Sequence, residues 1–170
     1  MAANLEIKAF LPERELALAK AREMGAKHAG SLHQVDVYFN TRQGRLKLRT
    51  INGTQAELIF YERGESSDQR LSRFERYNAE HPDLLRQMLE SACGVRGVVE
   101  KERTLWMYGE TRIHFDEVRN LGSFLEIEVP VAGKPDAAAE IMHTLLEGFQ
   151  IAPEAYIRTS YIDLIAGPGH

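Results

Sequence analysis

The sequence predicts an α+β fold in which about eight antiparallel strands form a large sheet or a closed barrel beside several helices. Polar and apolar residues alternate in many segments with the period of two that a half-buried strand requires. Short turns join most of these segments, and short connections make neighbouring strands antiparallel. The strands fall into two sets, and a helical segment follows each set.

In the first half, Asn52-Gly53 lies between two alternating runs and is a strong signal for a hairpin turn. Pro12 opens a helix that Gly25 ends, and Pro82 opens a second helix. We therefore expect strands at residues 4–10, 33–39, 45–51, 56–63 and 71–77, and helices at 12–24 and 82–92.

In the second half, Gly109-Glu110 and Asn120-Leu121-Gly122 are short turns between three alternating runs. They predict an antiparallel meander of strands. A helix follows, with Ile141, Leu145 and Phe149 on one face. The expected strands are at 98–108, 111–118 and 123–131, the helix is at 137–149, and a short final helix lies within 155–165.

The bulk composition is that of one globular domain, which we expect at residues 1–166 with a disordered tail at 167–170. The net charge of −4 gives no bulk basic field, so we expect no nucleic-acid partner. The single Cys93 excludes an internal disulfide and a multi-cysteine zinc site. Neither a signal peptide nor an apolar span of 18 residues is recognisable, so we expect a cytoplasmic protein without a membrane partner.

Charged residues of both signs occupy every second position of several predicted strands. Such a face is what a polyphosphate with a divalent cation requires. If the strands close into a barrel, the charges converge inside it, and the bases repel one another unless an anion lies among them. On an open sheet they would instead form surface ion pairs worth under about 1 kcal/mol each. Periodicity alone leaves both interpretations open. The alternating bases are Arg45, Lys47, Arg49, Lys101, Arg103 and Arg112.

The acids Glu126 and Glu128 are two residues apart, so both carboxylates project from one face of a strand. They could share a hard cation such as Mg²⁺ or Mn²⁺ through oxygen ligands, with Glu6 and Asp116 as further candidates. A pair of glutamates in a strand is more often a solvated face. His114 could act as a base, but we expect it to be structural.

No glycine-rich phosphate loop is present, which excludes a Walker-type nucleoside triphosphatase.

The ordered set of segments resembles the CYTH superfamily, the triphosphate tunnel metalloenzymes, which includes class IV adenylate cyclases and thiamine triphosphatases. The resemblance implies an eight-stranded antiparallel β-barrel tunnel with flanking helices. Its segments are Asn4-Leu-Glu-Ile-Lys8, His33-Gln-Val-Asp-Val-Tyr-Phe39, Leu46-Lys-Leu-Arg49, Val99-Glu-Lys-Glu-Arg103, Arg112-Ile-His-Phe-Asp-Glu-Val118, Leu121-Gly-Ser-Phe-Leu-Glu-Ile-Glu-Val129 and Ser160-Tyr-Ile-Asp-Leu164.

The resemblance also implies roles for individual residues. The metal ligands for Mg²⁺ or Mn²⁺ would be Glu6, Glu126 and Glu128. Asp116 would lie near the metal or the attacking group, and Lys101 and Arg103 would act in catalysis as well as binding. Glu75 fits a further lining position. The substrate-binding residues would be Lys8, Lys47, Arg49, Arg73, Lys101, Arg103 and Arg112.

Two departures from the family pattern matter. Asn4 stands where the family has an acid, and an amide oxygen brings no charge to a metal. Triphosphatase-type members use a tyrosine–lysine pair to activate water, and Tyr38 matches that tyrosine. The fourth strand has Tyr61-Glu62-Arg63 where a lysine is common, so the lysine partner is expected to be missing.

These departures favour a class IV adenylate cyclase-like enzyme, which converts ATP to 3′,5′-cyclic AMP and pyrophosphate. An inorganic or organic triphosphatase is the alternative, and Asn4 motivates a third, a catalytically silent triphosphate-binding module. The expected partner is a nucleoside triphosphate or another triphosphate, and the resemblance makes a homodimer plausible.

Overall fold

A computed structural model describes residues 2–64 and 69–167 of the chain, so residues 168–170 of the expected tail lie outside the described residues. The strands are β1 (Ala2–Phe10), β2 (Lys27–Phe39), β3 (Arg45–Ile51), β4 (Gln55–Arg63), β5 (Arg70–Asn78), β6 (Val95–Tyr108), β7 (Thr111–Val118) and β8 (Gly122–Pro130). The α-helices are α1 (Arg14–Glu23), α2 (Pro82–Cys93), α3 (Pro135–Phe149) and α4 (Tyr161–Ala166), and a 3-10 turn spans Pro153–Ala155.

The eight strands form a closed antiparallel barrel in the order β1-β5-β4-β3-β2-β6-β7-β8, with β8 pairing back to β1. The predicted barrel is therefore confirmed, and the open sheet with solvated charges is excluded. Asn52 and Gly53 connect β3 to β4 with φ angles of 51° and 72°. Both values fit the left-handed turn that suits a two-stranded hairpin.

Strand β2 begins six residues earlier than predicted. Its first residues pair with the end of β6, from Lys27 opposite Met107 onward, with a register shift between His28 and Gly30. That segment lacks a clean alternation of polar and apolar residues, which is why it does not read as a strand. The partner strand supplies the hydrogen bonds that local propensity does not predict.

The outer face of the barrel is apolar where helices cover it. Ile113, Phe115 and Ile127 point outward and pack against Leu145 and Phe149 of α3 in a core that α1 also joins. Fully burying side chains of this size contributes about 1.5–3 kcal/mol each. On the other side, Leu85, Leu89 and Cys93 of α2 pack on β2, β3 and β4, with Cys93 only half-buried. Since alternate residues face out, the charged positions of these strands face in.

Helix α4 fills one end of the barrel. Tyr161 and Ile162 pack against inward-facing Tyr38, Val99 and Phe124. Asp163 of the same helix accepts a 2.6 Å hydrogen bond from Arg96 and a 3.3 Å bond from Arg45, which anchors the helix to β6 and β3. Burial opposes ionisation of Asp163, but the hydrogen bonds from Arg96 and Ser160 and the charge of Arg45 together outweigh it and lower its pKa.

Candidate active site

The interior of the barrel contains a cavity of about 270 Å³ to which every strand contributes, together with Ser160 and Tyr161. Its volume is close to the lower end of the range for ligand pockets, about 300–1,000 Å³. Among the described residues that line it, eight are Lys or Arg and four are Glu. The bases are Lys8, Lys47, Arg49, Arg63, Arg76, Lys101, Arg103 and Arg112, and the acids are Glu6, Glu57, Glu126 and Glu128.

Asp36 lies behind this lining and is completely buried. Arg49 donates two hydrogen bonds to its carboxylate, at 2.7 and 2.8 Å, and Lys47 and Lys101 donate to it at 3.2 and 3.4 Å. Burial opposes the charged form, but Arg49 and the two lysines outweigh it and hold the pKa of Asp36 well below its usual range. Sequence reasoning missed Asp36, although an acid between Val35 and Val37 of a predicted strand was a usable signal.

Asp116 occupies an equivalent place behind Arg103. Arg103 donates to both of its oxygens at 2.8 and 2.7 Å, and the Tyr161 hydroxyl donates at 2.8 Å. Burial opposes ionisation, yet Arg103 lowers the pKa of Asp116 to about 2. Asp116 is 1% exposed and is not among the lining residues, so its carboxylate orients Arg103 and Tyr161. The catalytic role expected of Asp116 stays a prediction, and the structure places its carboxylate behind Arg103, outside the lining of the cavity.

We call Glu6, His114, Glu126 and Glu128 the acidic end of the cavity. Glu126 accepts a 3.0 Å hydrogen bond from Arg103. Burial opposes its ionisation, but Lys8 and Arg103 hold the pKa of Glu126 well below normal. Burial raises the pKa of Glu128 to about 8, and the neighbouring Glu6 and Glu126 add to the increase. The predicted metal-binding acids therefore meet at one place, in different charge environments.

Glu6 is separated from the other acids by an arginine. Arg63 Nη2 lies 3.4 Å from Glu6 Oε2 and 4.0 Å from Glu126 Oε1. Burial raises the pKa of Glu6, and Arg63 lowers it in part. Asn4, two residues before Glu6, also lines the cavity. In the sequence Arg63 belongs to the segment where a lysine is common in the family, and its position between two carboxylates was not predicted.

His114 completes the acidic end, although we expected it to be structural. A ring nitrogen of His114, a carboxylate oxygen of Glu126 and a carboxylate oxygen of Glu128 all lie within 4.8 Å of one another. Burial lowers the pKa of His114 to about 3, and Arg103 contributes, so the ring is neutral near pH 7. Two carboxylates and a neutral imidazole are a donor set that fits a divalent cation.

The lysines of the cavity are held in the interior by aromatic rings as well as by acids. Lys8 Nζ lies 3.9 Å from the centroid of the Tyr161 ring, and Lys101 Nζ lies 5.2 Å from it. Burial lowers the pKa of Lys8 to about 8, and burial likewise lowers that of Lys101 to about 8. Both lysines are still mostly charged near pH 7 but lose their protons more easily than exposed lysines, and an anion would stabilise their charged forms.

Tyr38 has a lysine neighbour after all. Lys47 Nζ donates to the Tyr38 hydroxyl at 3.5 Å, and the Tyr38 and Tyr61 hydroxyls are 3.3 Å apart. Burial lowers the pKa of Lys47 well below normal, and Arg49 adds to the decrease. We expected the lysine partner to be missing because β4 has none at the family position. The lysine beside Tyr38 is instead Lys47 of β3.

Two predicted lining residues do not reach the cavity. Arg73 and Glu75 of β5 are exposed on the outer surface, whereas Ser72, Phe74 and Arg76 face inward. Polar residues occupy both faces of β5, so the charge pattern does not identify its inner face. The assignments of Arg73 and Glu75 to the lining were wrong.

The remaining predicted bases lie at the two ends of the cavity. Arg45 bonds to Asp163 of α4 and is not among the lining residues. Arg112 lines the cavity at the opposite end, where its side chain reaches the surface. Apolar Leu32, Ile51 and Leu105 lie near that end, on three strands that neighbour one another.

The sequence also matches a known protein family. The CYTH domain model matches residues 2–161. A Methanocaldococcus jannaschii protein named "Putative adenylate cyclase" is 25% identical, over 95% of this chain and 97% of its own length. Among solved structures, the PH1012 protein of Pyrococcus horikoshii is 24% identical with a TM-score of 0.85, over 95% of this chain and 98% of its own.

A second solved structure is that of a Hippeastrum protein described as a "Putative adenylyl cyclase" with a dominant triphosphatase activity. It is 13% identical with a TM-score of 0.69, and the match covers 98% of this chain and 95% of that one. At this identity the likeness concerns the fold. Within the described part of the chain, the helices are too short or too polar to cross a membrane.

Proposed function

The chain belongs to the CYTH domain family, and we propose that it is a divalent-cation-dependent enzyme that converts ATP to 3′,5′-cyclic AMP and pyrophosphate. The observation that carries the proposal is the meeting, inside one closed barrel, of many phosphate-binding bases with a small acidic end. A triphosphate carries several negative charges and is normally accompanied by a cation, so its chemistry matches both parts of the cavity.

The bases bind the phosphate oxygens in this proposal. Arg49 and Arg103 present planar forks whose orientation is fixed by bidentate hydrogen bonds to Asp36 and Asp116. Lys8, Lys47, Lys101 and Arg112 add charge around the same cavity. Donors that are already oriented need little reorganisation when charge develops on the phosphates, which is how preorganised sites accelerate phosphoryl chemistry.

The acidic end would hold the cation, with Glu126 and Glu128 as ligands and Glu6 beside them. The bound cation would neutralise charge on the α-phosphate and on the leaving pyrophosphate. In the cyclisation, the ribose 3′-oxygen bonds to the α-phosphorus and its proton passes to solvent water, while the bond from the α-phosphorus to the bridging oxygen breaks and pyrophosphate leaves. Buried Arg103 contacts Glu126 and can therefore hold the triphosphate against the acidic end.

Three apolar residues near the end of the cavity that Arg112 lines support an organic triphosphate over inorganic tripolyphosphate. They are Leu32, Ile51 and Leu105, and they offer no group that binds phosphate. A nucleoside has apolar faces that such side chains can contact, whereas tripolyphosphate has none. The full-length relative named for adenylate cyclase activity supports ATP as the specific substrate.

The test is to incubate the protein with ATP and with tripolyphosphate, each with Mg²⁺ or Mn²⁺, and to quantify cyclic AMP, pyrophosphate and orthophosphate. We expect cyclic AMP and pyrophosphate in equal amounts from ATP. Arg73→Ala is the matched control, because this exposed arginine is outside the cavity and its loss should not change the rate. Absence of any product from either compound would instead indicate the silent binding module that Asn4 suggests.

A triphosphatase is the second candidate, and the contact between Tyr38 and Lys47 favours it. Such a pair could orient or deprotonate a water molecule for attack on the terminal phosphate. The same assay separates the two reactions, because hydrolysis yields orthophosphate and no cyclic AMP. If hydrolysis is the reaction, Tyr38→Phe should lower orthophosphate release by roughly 10²-fold or more, as loss of a general acid–base group does.

A further inference from the structure

The acidic end of the cavity consists of three glutamates and His114, whose imidazole is its one metal-binding nitrogen group. Its position follows from strand geometry. Ile113 and Phe115 on either side are buried in the outer core, so the side chain of His114 is directed inward. In the barrel, His114 is paired with Glu126 of β8, and Arg112 is paired with Glu128. The histidine is therefore held beside both carboxylates by backbone register.

The distances within this group suit a single bound cation. The nitrogen of His114 and one oxygen each of Glu126 and Glu128 lie within 4.8 Å of one another. Metal–ligand bonds of about 2.0–2.3 Å separate opposite ligands by about 4.0–4.6 Å. Adjacent ligands of one ion lie only about 3–3.5 Å apart, so the three side chains must move closer together to coordinate a cation.

The imidazole also lacks a partner. His114 Nδ1 is buried and has no hydrogen-bond acceptor or donor among the described residues, and the nearest carboxylate oxygen, Glu128 Oε1, is 3.8 Å away. Buried polar atoms are nearly always paired, so an unpaired one that faces a polar cavity indicates a missing ligand. A cation between Nδ1 and the two carboxylates would provide that ligand.

Glu6 is less available for the same cation. Its carboxylate lies 3.4 Å from Arg63, which also approaches Glu126 at 4.0 Å. A guanidinium already supplies positive charge on that side of the acidic end. Glu128 and His114 remain as ligands. Among the described residues, no Lys or Arg lies at ion-pair distance from either of them.

We propose that His114, Glu126 and Glu128 bind one divalent cation through a nitrogen and two carboxylates. The site would therefore favour a first-row transition metal such as Mn²⁺ or Co²⁺ over Mg²⁺. The chemical reason is that imidazole binds transition metals well, whereas Mg²⁺ strongly prefers oxygen ligands. The inference deepens the proposed function, because it names the ligands and the class of cation of the same site.

The direct test is pulsed electron paramagnetic resonance of Mn²⁺ bound to the full chain without nucleotide. We expect echo modulation from one coupled ¹⁴N nucleus, and we expect its frequencies to change when the protein is prepared with ¹⁵N-labelled histidine. Bound Mn²⁺ that shows no nitrogen coupling would overturn the inference. This measurement uses the unmodified sequence, so it decides the question even if a variant does not fold.

Substitution then assigns the nitrogen to His114. His114→Gln should remove the modulation and lower the affinity for Mn²⁺ by about tenfold or more, while affinity for Mg²⁺ changes by less than about threefold. His33→Gln is the matched control, because His33 also lies near two glutamates, Glu100 and Glu102, but outside the cavity. Equal losses of Mn²⁺ and Mg²⁺ affinity in His114→Gln would contradict a nitrogen ligand.

The outcomes separate this inference from the proposed function. If Mn²⁺ shows coupling to His114 and neither ATP nor tripolyphosphate is cleaved, the ligand assignment holds and the proposed reaction is wrong. If ATP is cleaved with a bound cation that has no nitrogen ligand, the reaction holds and the ligand assignment is wrong.

Discussion

Two groups of buried acids in one barrel differ in how their charge is balanced. Asp36 and Asp116 are each bound in bidentate fashion by an arginine, and a lysine or tyrosine adds further hydrogen bonds. Glu128 is largely buried, with 15% of its side chain exposed, but no Lys or Arg of the described residues lies within 4.0 Å of its carboxylate. The pKa of Asp116 is about 2, because Arg103 outweighs burial, whereas burial raises that of Glu128 to about 8.

This difference separates acids that orient the site from acids that can bind a ligand. The charge of Asp36 or Asp116 is already satisfied by protein cations, so neither carboxylate needs a further partner. The Glu128 carboxylate gains most from a cation that arrives from outside, because its ionised form lacks a protein partner. Repulsion among the bases is likewise reduced by Asp36, which was not predicted, and by Asp116, which was expected near the metal or the attacking group.

The largest effect is expected on the unfolding free energy, when an acid whose charge is balanced by protein cations is removed. Asp36→Asn leaves Arg49, Lys47 and Lys101 without their shared carboxylate, and an uncompensated buried charge costs about 3–5 kcal/mol of unfolding free energy. Urea denaturation monitored by circular dichroism measures the loss. Added phosphate or sulfate should recover part of it, since an anion can replace the carboxylate.

The control for Asp36→Asn is Glu90→Gln, which breaks an exposed ion pair with Arg86 on α2. Exposed pairs of this kind contribute about 0.3–0.5 kcal/mol. If Asp36→Asn were no more destabilising than Glu90→Gln, the bases would not depend on internal acids, and the comparison between the two groups of acids would fail.

The second largest effect is expected on turnover. Glu126 belongs to the acidic end but is also held by Arg103, so Glu126→Gln should keep the side-chain shape and reduce cleavage of ATP by roughly 10²–10³-fold. Initial rates with saturating Mn²⁺ measure this, alongside a melting curve to verify the fold. An unchanged rate in a folded variant would reject a role for Glu126 in holding the cation.

Much of the fold was predictable because its signals are local. Alternation and Asn52-Gly53 predict strands and a hairpin, and the closed barrel then followed from the family resemblance. The positions of Asp36 and Arg63 depend on which residues of distant strands are neighbours, and no local pattern contains that register. Arg73 was misplaced for a related reason, since β5 is polar on both faces and its inner face is set by pairing with β1 and β4.

A smaller effect is expected on the pH dependence of stability without metal. The pKa of Glu128 is about 8 in the folded protein, because of burial, and is near 4.5 when exposed. Its contribution is therefore complete below pH 4.5 and is lost as pH rises toward 8. In a chelator, Glu128→Gln should flatten the decline in unfolding free energy between pH 5 and 8. An identical decline in both proteins would show that Glu128 is ionised without a cation.

The smallest expected effect is the release of protons when the cation binds, which amounts to one proton per chain at most. Because Glu128 is protonated below pH 8 in the absence of metal, binding of Mn²⁺ near pH 7 should release up to about one proton. Isothermal titration calorimetry in two buffers of different ionisation enthalpy measures that number, and Glu128→Gln should bring it close to zero. Asp116 is already ionised and held by Arg103, so it has no proton to release at this pH. Undiminished release in Glu128→Gln would mean that the proton comes from another group, and the distinction between satisfied and unsatisfied acids would then not extend to cation binding.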